Sequence, residues 1–245
     1  MKNLYKANLR RLAGNVYFIG GCVIAMLITY LFTAKIFSIS FLGGLPGEGR
    51  MYFVSAAMVV FFTIIIPIFT NMEYTDGTIR NKIIAGYSQK EIYLSLLFTY
   101  LTLALIMWGC YMAAGLAGGA KLGGGYLASN LVVLLAVANY IATMQFLSFR
   151  IRNLIAAVIA AMMVMNLCFN SVLFGNAMLT FSEGSVQKVL SILYNFSAFG
   201  QWFSRTGFAD DITNPGTAVQ ILLSLVIVTG LSMLGILGID KRDLA

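Results

Sequence analysis

Six long stretches of the chain are almost entirely apolar, and shorter polar segments separate them. Each stretch reaches the roughly 20 apolar residues that an α-helix needs to cross a hydrocarbon core of about 30 Å. The pattern therefore predicts six membrane-spanning helices. Their ranges are 16–37, 51–70, 92–118, 126–149, 154–176 and 218–239.

The composition agrees with a chain that lies mostly in lipid. Of the 245 residues, 60% are hydrophobic and 10% are charged, and the mean hydropathy is +0.87. A soluble domain carries roughly 25% charged residues, because its surface must be solvated. We therefore predict an all-α integral membrane protein with one transmembrane domain over residues 1–245, an interfacial helix before the first span and a re-entrant outer segment between the fifth and sixth spans.

The basic residues indicate the orientation of the spans. With six spans, both termini and two of the loops lie on one side of the membrane, and this side carries eleven of the sixteen basic residues. Because lysine and arginine concentrate in cytoplasmic loops, both termini are predicted to be cytoplasmic. The cytoplasmic basic residues then lie at anionic lipid head groups. This position accounts for the net charge of +7 without a nucleic-acid partner. The eleven are Lys2, Lys6, Arg10, Arg11, Arg80, Lys82, Lys90, Arg150, Arg152, Lys241 and Arg242.

Residues 1–14 have the spacing of a short amphipathic helix. Tyr5, Leu9 and Leu12 recur on one stripe, and basic residues follow one another on a second stripe. A basic amphipathic helix of this kind suits the membrane surface. The alternative is a positive flank that only sets the topology. The basic side chains are Lys2, Lys6, Arg10 and Arg11.

The cytoplasmic loop over residues 72–91 encodes a further short helix. Thr75 or Asp76 is predicted to cap a helix over 78–85, and Gly86 to end it in a left-handed conformation. Ser88 and Glu91 then fit the S-x-x-E capping box at the start of the third span.

Three isoleucines of this loop are predicted to share one face of the short helix, with the polar residues turned away from it. They are Ile79, Ile83 and Ile84, and the polar residues are Arg80, Asn81 and Lys82. A loop that is needed only for connection could be four residues long, so contact with another protein is favoured. The alternative is that the isoleucines lie on the lipid surface.

The outward segment 177–217 contains a run of closely spaced aromatic residues, and Phe208 is the last of them. Aromatic rings settle at membrane interfaces, so we predict that this segment dips into the outer leaflet.

Amide side chains inside the spans usually form hydrogen bonds to a neighbouring helix, and this structural role is favoured over contact with a substrate. The candidate pathway residues are Asn139, Asn166, Asn170, Phe199, Trp202 and Phe203.

The sequence lacks the residues that several kinds of catalytic or metal site require. The chain has no histidine, so a Ser–His or Cys–His nucleophile and an HExxH zinc helix are excluded. Its three cysteines lie far apart in apolar runs, so no metal or disulfide framework is indicated. No GxxxxGK[ST] motif occurs. We therefore predict a protein that is not an enzyme and that binds no metal or cofactor itself.

The loop resembles that of the ABC-2 type permeases, the membrane subunits of type V bacterial ABC exporters, and is most similar to those associated with peptide or antimicrobial-peptide efflux or immunity. An acidic residue ends the second span, D-G-T-I-R-N-K follows, and G-Y-S precedes the third span. The resemblance covers the whole six-span plan, although Gln89 and Leu96 stand where many members carry basic residues. It rests on Glu73, Asp76, Gly77, Thr78, Ile79, Arg80, Asn81, Lys82, Gly86, Tyr87 and Ser88. Together with Ile83, these are the residues that the resemblance predicts to couple the chain to an ATPase.

The resemblance implies a permease subunit in the bacterial cell membrane that exports a hydrophobic or amphipathic substrate, with a peptide favoured. The short helix would be a coupling helix that contacts a separate ATP-binding cassette ATPase, present in two copies, in which ATP and Mg²⁺ are bound. A second permease, the same or homologous, and membrane lipids would be the other partners. The outer segment would form a lid or lateral exit. The alternative function is a membrane immunity or scaffold protein that binds a peptide or organises partners without transport.

Overall fold

The computed structural model describes residues 1–37, 39, 42–121, 123–206, 211–237 and 239. Phe208, Lys241 and Arg242 lie outside these residues. All long regular elements in the described ranges are α-helices, and a short 3-10 turn at Asp211–Thr213 precedes the last one. The helices are α1 Lys2–Ala13, α2 Val16–Thr33, α3 Gly47–Val54, α4 Ala56–Thr75, α5 Thr78–Ile84, α6 Gln89–Ala117, α7 Gly124–Arg150, α8 Leu154–Thr180, α9 Gly184–Tyr194, α10 Ala198–Phe203 and α11 Thr217–Ile236.

Six of these helical segments are long and apolar enough to cross a membrane, as the hydropathy pattern predicts. They are α2, the continuous pair α3–α4, α6, α7, α8 and α11. The first predicted span ends earlier, at Thr33, while the second begins earlier, at Gly47, and continues to Thr75. The chain is therefore an all-helical, multi-pass membrane protein.

The centre of the bundle consists of α3–α4, α6 and α7. In the most apolar part of each of these spans, 56% to 61% of the residues are buried, compared with 17% to 22% in α2, α8 and α11. The outer helices pack against the centre, with α2 on α6, α8 on α4 and α11 on α7. The outer three therefore expose much of their surface to whatever surrounds the bundle.

Side-chain hydrogen bonds join the central helices within the apolar core. The hydroxyl of Thr63 on α4 donates to the hydroxyl of Tyr140 on α7 at 3.1 Å. Further along α4, Thr70 bonds the Tyr100 hydroxyl on α6 at 3.1 Å and donates to Gln145 Oε1 on α7 at 3.4 Å. Because lipid offers no polar partners, such bonds between spans stabilise one arrangement of the helices.

Candidate functional site

Local backbone signals position α5 between the ends of α4 and α6. Gly77, with φ of +65°, is the N-cap that precedes α5, and Gly86, with φ of +89°, follows the end of α5 in the predicted left-handed conformation. At the start of α6 the Ser88 hydroxyl accepts from the backbone N–H of Glu91, and Glu91 Oε2 accepts from the backbone N–H of Ser88. The predicted capping box is therefore confirmed, and α5 lies between two defined turns.

The predicted N-cap of this helix is wrong. The helix α4 continues through Thr75, whose hydroxyl donates back to the carbonyl of Asn71 at 3.0 Å, and Asp76 is the residue that ends α4. The turn is made by Gly77, because a left-handed conformation costs other residues about 1–2 kcal/mol. The sharp reversal at glycine places α5 back against α4.

The predicted face of α5 is correct for Ile79, which is 1% exposed, and partly so for Ile83. It is wrong for Ile84, which is 74% exposed. It is also wrong for Lys82, which turns inward, with its side chain 11% exposed. The reason is electrostatic, since the carboxylate of Glu73 lies inside and Lys82 reaches it.

Glu73, at the end of α4, joins three helices. Its side chain is fully buried, and Oε1 contacts Nη2 of Arg11 on α1. Its other oxygen, Oε2, lies 2.5 Å from the ammonium nitrogen of Lys82 on α5. A buried carboxylate requires a positive partner, because the low dielectric strongly disfavours an isolated charge. Glu73 therefore links α1 and α5 to the membrane-spanning helix α4.

Asn8 extends this cluster to α6. The Lys82 ammonium donates to Asn8 Oδ1 at 3.0 Å, and Asn8 Nδ2 donates to the hydroxyl of Ser95 on α6 at 3.1 Å. Asn8 is 3% exposed, so both ends of its amide are used inside the protein. We call Asn8, Arg11, Glu73, Lys82 and Ser95 the α1–α4–α5–α6 cluster.

The buried stripe of α1, which packs along α6, shares only Leu12 with the predicted stripe. Its buried residues are Leu4, Asn8 and Leu12, while Tyr5 and Leu9 are only half-buried. The prediction missed Leu4 and Asn8 because an asparagine breaks the apolar pattern. The Tyr5 hydroxyl bonds the Thr102 hydroxyl at 2.8 Å, and the N-terminal amine lies 3.3 Å from Glu91 Oε1. Lys2, Lys6, Arg10 and Arg11 are all exposed, and Arg11 also contacts the buried carboxylate of Glu73.

The surroundings of Lys82 change its pKa. Burial lowers the pKa of the ammonium to about 8, and the neighbouring Arg11 cation contributes to the same shift. The Glu73 carboxylate, in contrast, favours the charged form of the lysine. The side chain of Lys82 is 11% exposed and donates to Glu73 and Asn8 inside the protein, so it forms little of the outer surface of α5.

The opposite side of α5 is open. Arg80, Asn81 and Ile84 are exposed, and together we call them the outward α5 surface. It combines one cation, one amide and one large apolar side chain on a helix that is fixed from behind by Glu73. Such a rigid, partly apolar protrusion is suited to a groove on another protein.

At the other end of the bundle, α10 is fixed to α3. The Tyr52 hydroxyl donates to the carbonyl of Trp202 at 3.1 Å, and Trp202 Nε1 donates to the carbonyl of Tyr52 at 3.3 Å. The rings of Phe199 and Trp202 also contact each other, with centroids 6.4 Å apart. Asn139 on α7 is buried and donates to the carbonyl of Phe196 at 3.3 Å. The aromatic segment thus packs on the bundle.

The structure divides the candidate pathway residues into two places. Phe199, Trp202 and the half-buried Phe203 lie on α10, and α10 packs against α7, which carries Asn139. Asn166 and Asn170 lie on α8, where Asn166 is exposed. The two places adjoin through the rings of Phe169 on α8 and Phe199 on α10, whose centroids are 6.1 Å apart, while the amides of Asn166 and Asn170 bond each other.

A polar cluster beside α10 was missed by sequence reasoning. Arg205 Nε donates to Gln220 Oε1 at 2.5 Å, and Arg205 Nη2 donates to the Thr217 hydroxyl at 2.6 Å. Gln220 Nε2 donates in turn to Asn195 Oδ1 and to the Ser204 hydroxyl, both at 2.7 Å. The sequence held a signal for it, because Gln220 and Ser224 are polar and one turn apart in an apolar span.

Replacing Gly200 with alanine is expected to destabilise this outer segment. A Cβ at Gly200 would lie 2.0 Å from the backbone carbonyl oxygen of Tyr194, which cannot move without shifting the turn between α9 and α10. We expect a loss of about 1–3 kcal/mol in the free energy of unfolding, measured by denaturation in detergent micelles. Gly109→Ala is the matched control, since a Cβ there meets no atom within 4 Å. Equal stability of the two variants would contradict the packing described.

Comparison of the chain with models of known protein families, with curated proteins and with solved structures gives no significant match. Within the described residues, no three His, Cys, Asp or Glu side chains are grouped to hold a metal ion.

Proposed function

We propose that this multi-pass protein is a permease, and more specifically the membrane-spanning subunit of an ATP-binding cassette exporter. In this proposal a separate ATPase subunit binds ATP and Mg²⁺ and supplies the energy. The chain moves a hydrophobic or amphipathic substrate, for which we favour a peptide, out of a bacterial cell. Both termini, together with α5, face the cytoplasm.

The observation that carries this proposal is the construction of α5. The seven-residue helix is exposed on one side and tied on the other, through Glu73, to α4. A force applied to the outward α5 surface would therefore reach a membrane-spanning helix directly, without passing through a flexible loop. This is the mechanical property that a coupling helix requires.

The cluster also includes α1 and α6, so one movement at α5 would be shared by three helices besides itself. Arg11 and Asn8 belong to α1, and Ser95 belongs to α6. The exposed basic residues of α1 suit a position at anionic lipid head groups. In this proposal α1 lies on the cytoplasmic membrane surface and keeps α5 aligned with the spans.

The outer aromatic segment forms the lid over the exit in this proposal. Its helix α10 is held by paired Tyr52–Trp202 hydrogen bonds and by aromatic contacts, which separate more easily than a covalent connection. A hydrophobic substrate could replace part of these ring contacts as it leaves. The aromatic group at Phe199 and Trp202 is thus the proposed site of substrate release.

The proposal is tested by affinity purification from the native membrane in mild detergent, followed by quantitative mass spectrometry. We expect a second chain that contains GxxxxGK[ST] to be recovered in an amount comparable to this protein. Recovery of the protein alone, or only with chains that lack ATPase motifs, would reject the exporter and favour the immunity or scaffold function.

A further inference from the structure

A groove runs between α2 and the central helices α3–α4 and α6. Its volume is about 420 Å³, which is within the range of small-molecule sites. Along α2 it extends from Val16 to Thr29, or about 20 Å of helix. Because this length exceeds half of a hydrocarbon core of about 30 Å, the groove reaches past the middle of the bilayer. We call it the α2 groove, and its lining residues lie within 16–29, 54–65 and 107–111.

The two hydroxyls that line the α2 groove away from α1 are already bonded to the protein. The Thr29 hydroxyl donates to the carbonyl of Ala25 at 2.6 Å. The Tyr111 hydroxyl lies 2.8 Å from Asn130 Oδ1 and 3.1 Å from the carbonyl oxygen of Met51. A peptide in this groove would bury backbone groups without hydrogen-bonding partners, which is costly in lipid. The wall of the groove therefore suits a hydrocarbon chain.

A smaller cavity of about 110 Å³ continues the α2 groove at the end near α1. Asn15 lines the smaller cavity, and the next residue, Val16, lines the groove. On α4, Phe69 of the smaller cavity follows Ile65 of the groove by one helical turn. The two cavities therefore lie end to end between α2 and α4. Tyr17, which is 67% exposed, marks this end as a membrane interface, where tyrosine rings settle.

One cation and one anion line the smaller cavity. Arg11 contacts Glu73 through Nη2, and its side chain is still 45% exposed. Because a guanidinium carries five N–H donors, Arg11 can bond a second acceptor at the same time. Asp76 also lines the cavity and is exposed. Phosphate is a strong acceptor for arginine, and an ammonium group pairs with a carboxylate. The two charges therefore suit a zwitterionic head group.

We propose that the α2 groove and the smaller cavity form one site for a zwitterionic phospholipid of the phosphatidylethanolamine type. One acyl chain lies in the α2 groove, and the other stays in the bilayer. The phosphate accepts hydrogen bonds from Arg11, and the ammonium pairs with Asp76. The bound head group thus adjoins the α1–α4–α5–α6 cluster through Arg11. The site is independent of the proposed exporter, because neither cavity includes a residue of α5.

The experiment measures lipid binding to the full chain by native mass spectrometry, after exchange into detergent has removed bound lipid. Phosphatidylethanolamine, phosphatidylglycerol and diacylglycerol with identical acyl chains are the probes, each added separately. One phosphatidylethanolamine should bind per chain, at least about tenfold more tightly than diacylglycerol, which lacks the charged head group. It should also bind more tightly than phosphatidylglycerol, which has no ammonium for Asp76.

Gly20→Phe tests the part of the site that holds the acyl chain. Gly20 lines the α2 groove, and a Cβ there meets no atom within 4 Å, so the ring enters open space. We expect at least about a tenfold loss of affinity for phosphatidylethanolamine, because the ring takes the volume of the chain. Gly230→Phe on α11 is the matched control, since a Cβ there also meets no atom within 4 Å. It should bind the lipid like the unmodified chain.

Arg11→Gln tests the part that holds the head group. Glutamine keeps an N–H donor for Glu73 but removes the charge, so the preference for phosphatidylethanolamine over diacylglycerol should fall below about threefold. Arg10→Gln, at the neighbouring exposed position outside both cavities, should retain the preference.

Three results would overturn the proposed lipid site. The first is that the unmodified chain binds diacylglycerol or phosphatidylglycerol as tightly as phosphatidylethanolamine, a comparison that needs no variant to fold. The second is that Gly20→Phe binds phosphatidylethanolamine as tightly as Gly230→Phe. The third is that Arg11→Gln keeps the same lipid preference as Arg10→Gln.

Discussion

Glu73→Gln is expected to lower the free energy of unfolding by about 3 kcal/mol, the lower end of the range for breaking a buried ion pair. The change leaves Lys82 as a buried cation without its carboxylate. Arg11 adds less, because its side chain is 45% exposed and water can solvate it once released. The measurement is chemical denaturation of the purified protein in detergent micelles.

The matched control for this prediction is Asp76→Asn. Asp76 is an exposed acid three positions further along the chain, and its replacement should change stability by less than about 0.5 kcal/mol. In the double variant Glu73→Gln with Lys82→Met, much of the lost stability should return, since no unpaired charge remains buried. Stability of Glu73→Gln equal to the unmodified protein would show that the cluster does not hold α5.

Arg80→Glu combined with Ile84→Asp is expected to remove the ATPase from the purified complex. If these side chains are central to the contact, their joint loss should cost more than about 2 kcal/mol, or roughly thirtyfold in affinity. The fold should be unaffected, because both side chains are exposed. The molar ratio of ATPase to this chain, from quantitative mass spectrometry, is the readout.

Arg152→Glu is the control for that surface. It reverses an exposed charge in the loop between α7 and α8, on the same proposed side of the membrane but away from α5. It should retain the ATPase. If the double variant retains the ATPase as well, with unchanged stability, the outward α5 surface is not the docking site.

The features of the site that could be predicted are those with local causes. The six spans follow from the length of each apolar run, and Gly86 and the Ser88–Glu91 box depend on residues within one turn. Backbone preference and short-range hydrogen bonds decide such features, so the neighbouring sequence contains all the information that they need.

The inward position of Lys82 could not be predicted in this way. Lys82 bonds Glu73, which is 9 positions away, and Asn8, which is 74 positions away, and only the folded bundle brings the three together. A helical projection of α5 alone places Lys82 with the solvent-facing residues. Charge reversal at Lys82 would therefore disturb both the fold and the proposed contact with the ATPase. Changes at the exposed residues Arg80 and Ile84 would affect the proposed contact without disturbing the fold.

The exposed position of Asn166 could not be predicted from the sequence either. The helix α8 is apolar around most of its circumference, so its hydrophobic pattern does not distinguish an inner from an outer face. The contacts of α8 with α4 and α10 decide which side is covered. Only the folded bundle therefore shows that Asn166 is exposed.

The most direct test of the central claim is photo-cross-linking from position 84 in the native membrane. A photoreactive amino acid replaces Ile84, and in a separate control it replaces Ile192 on α9, which is 38% exposed. We predict that position 84 forms an adduct with a chain containing GxxxxGK[ST] and that position 192 does not. Adducts from position 84 with lipid alone, or only with proteins that lack an ATP-binding motif, would contradict the assignment of α5 as the coupling helix of an exporter.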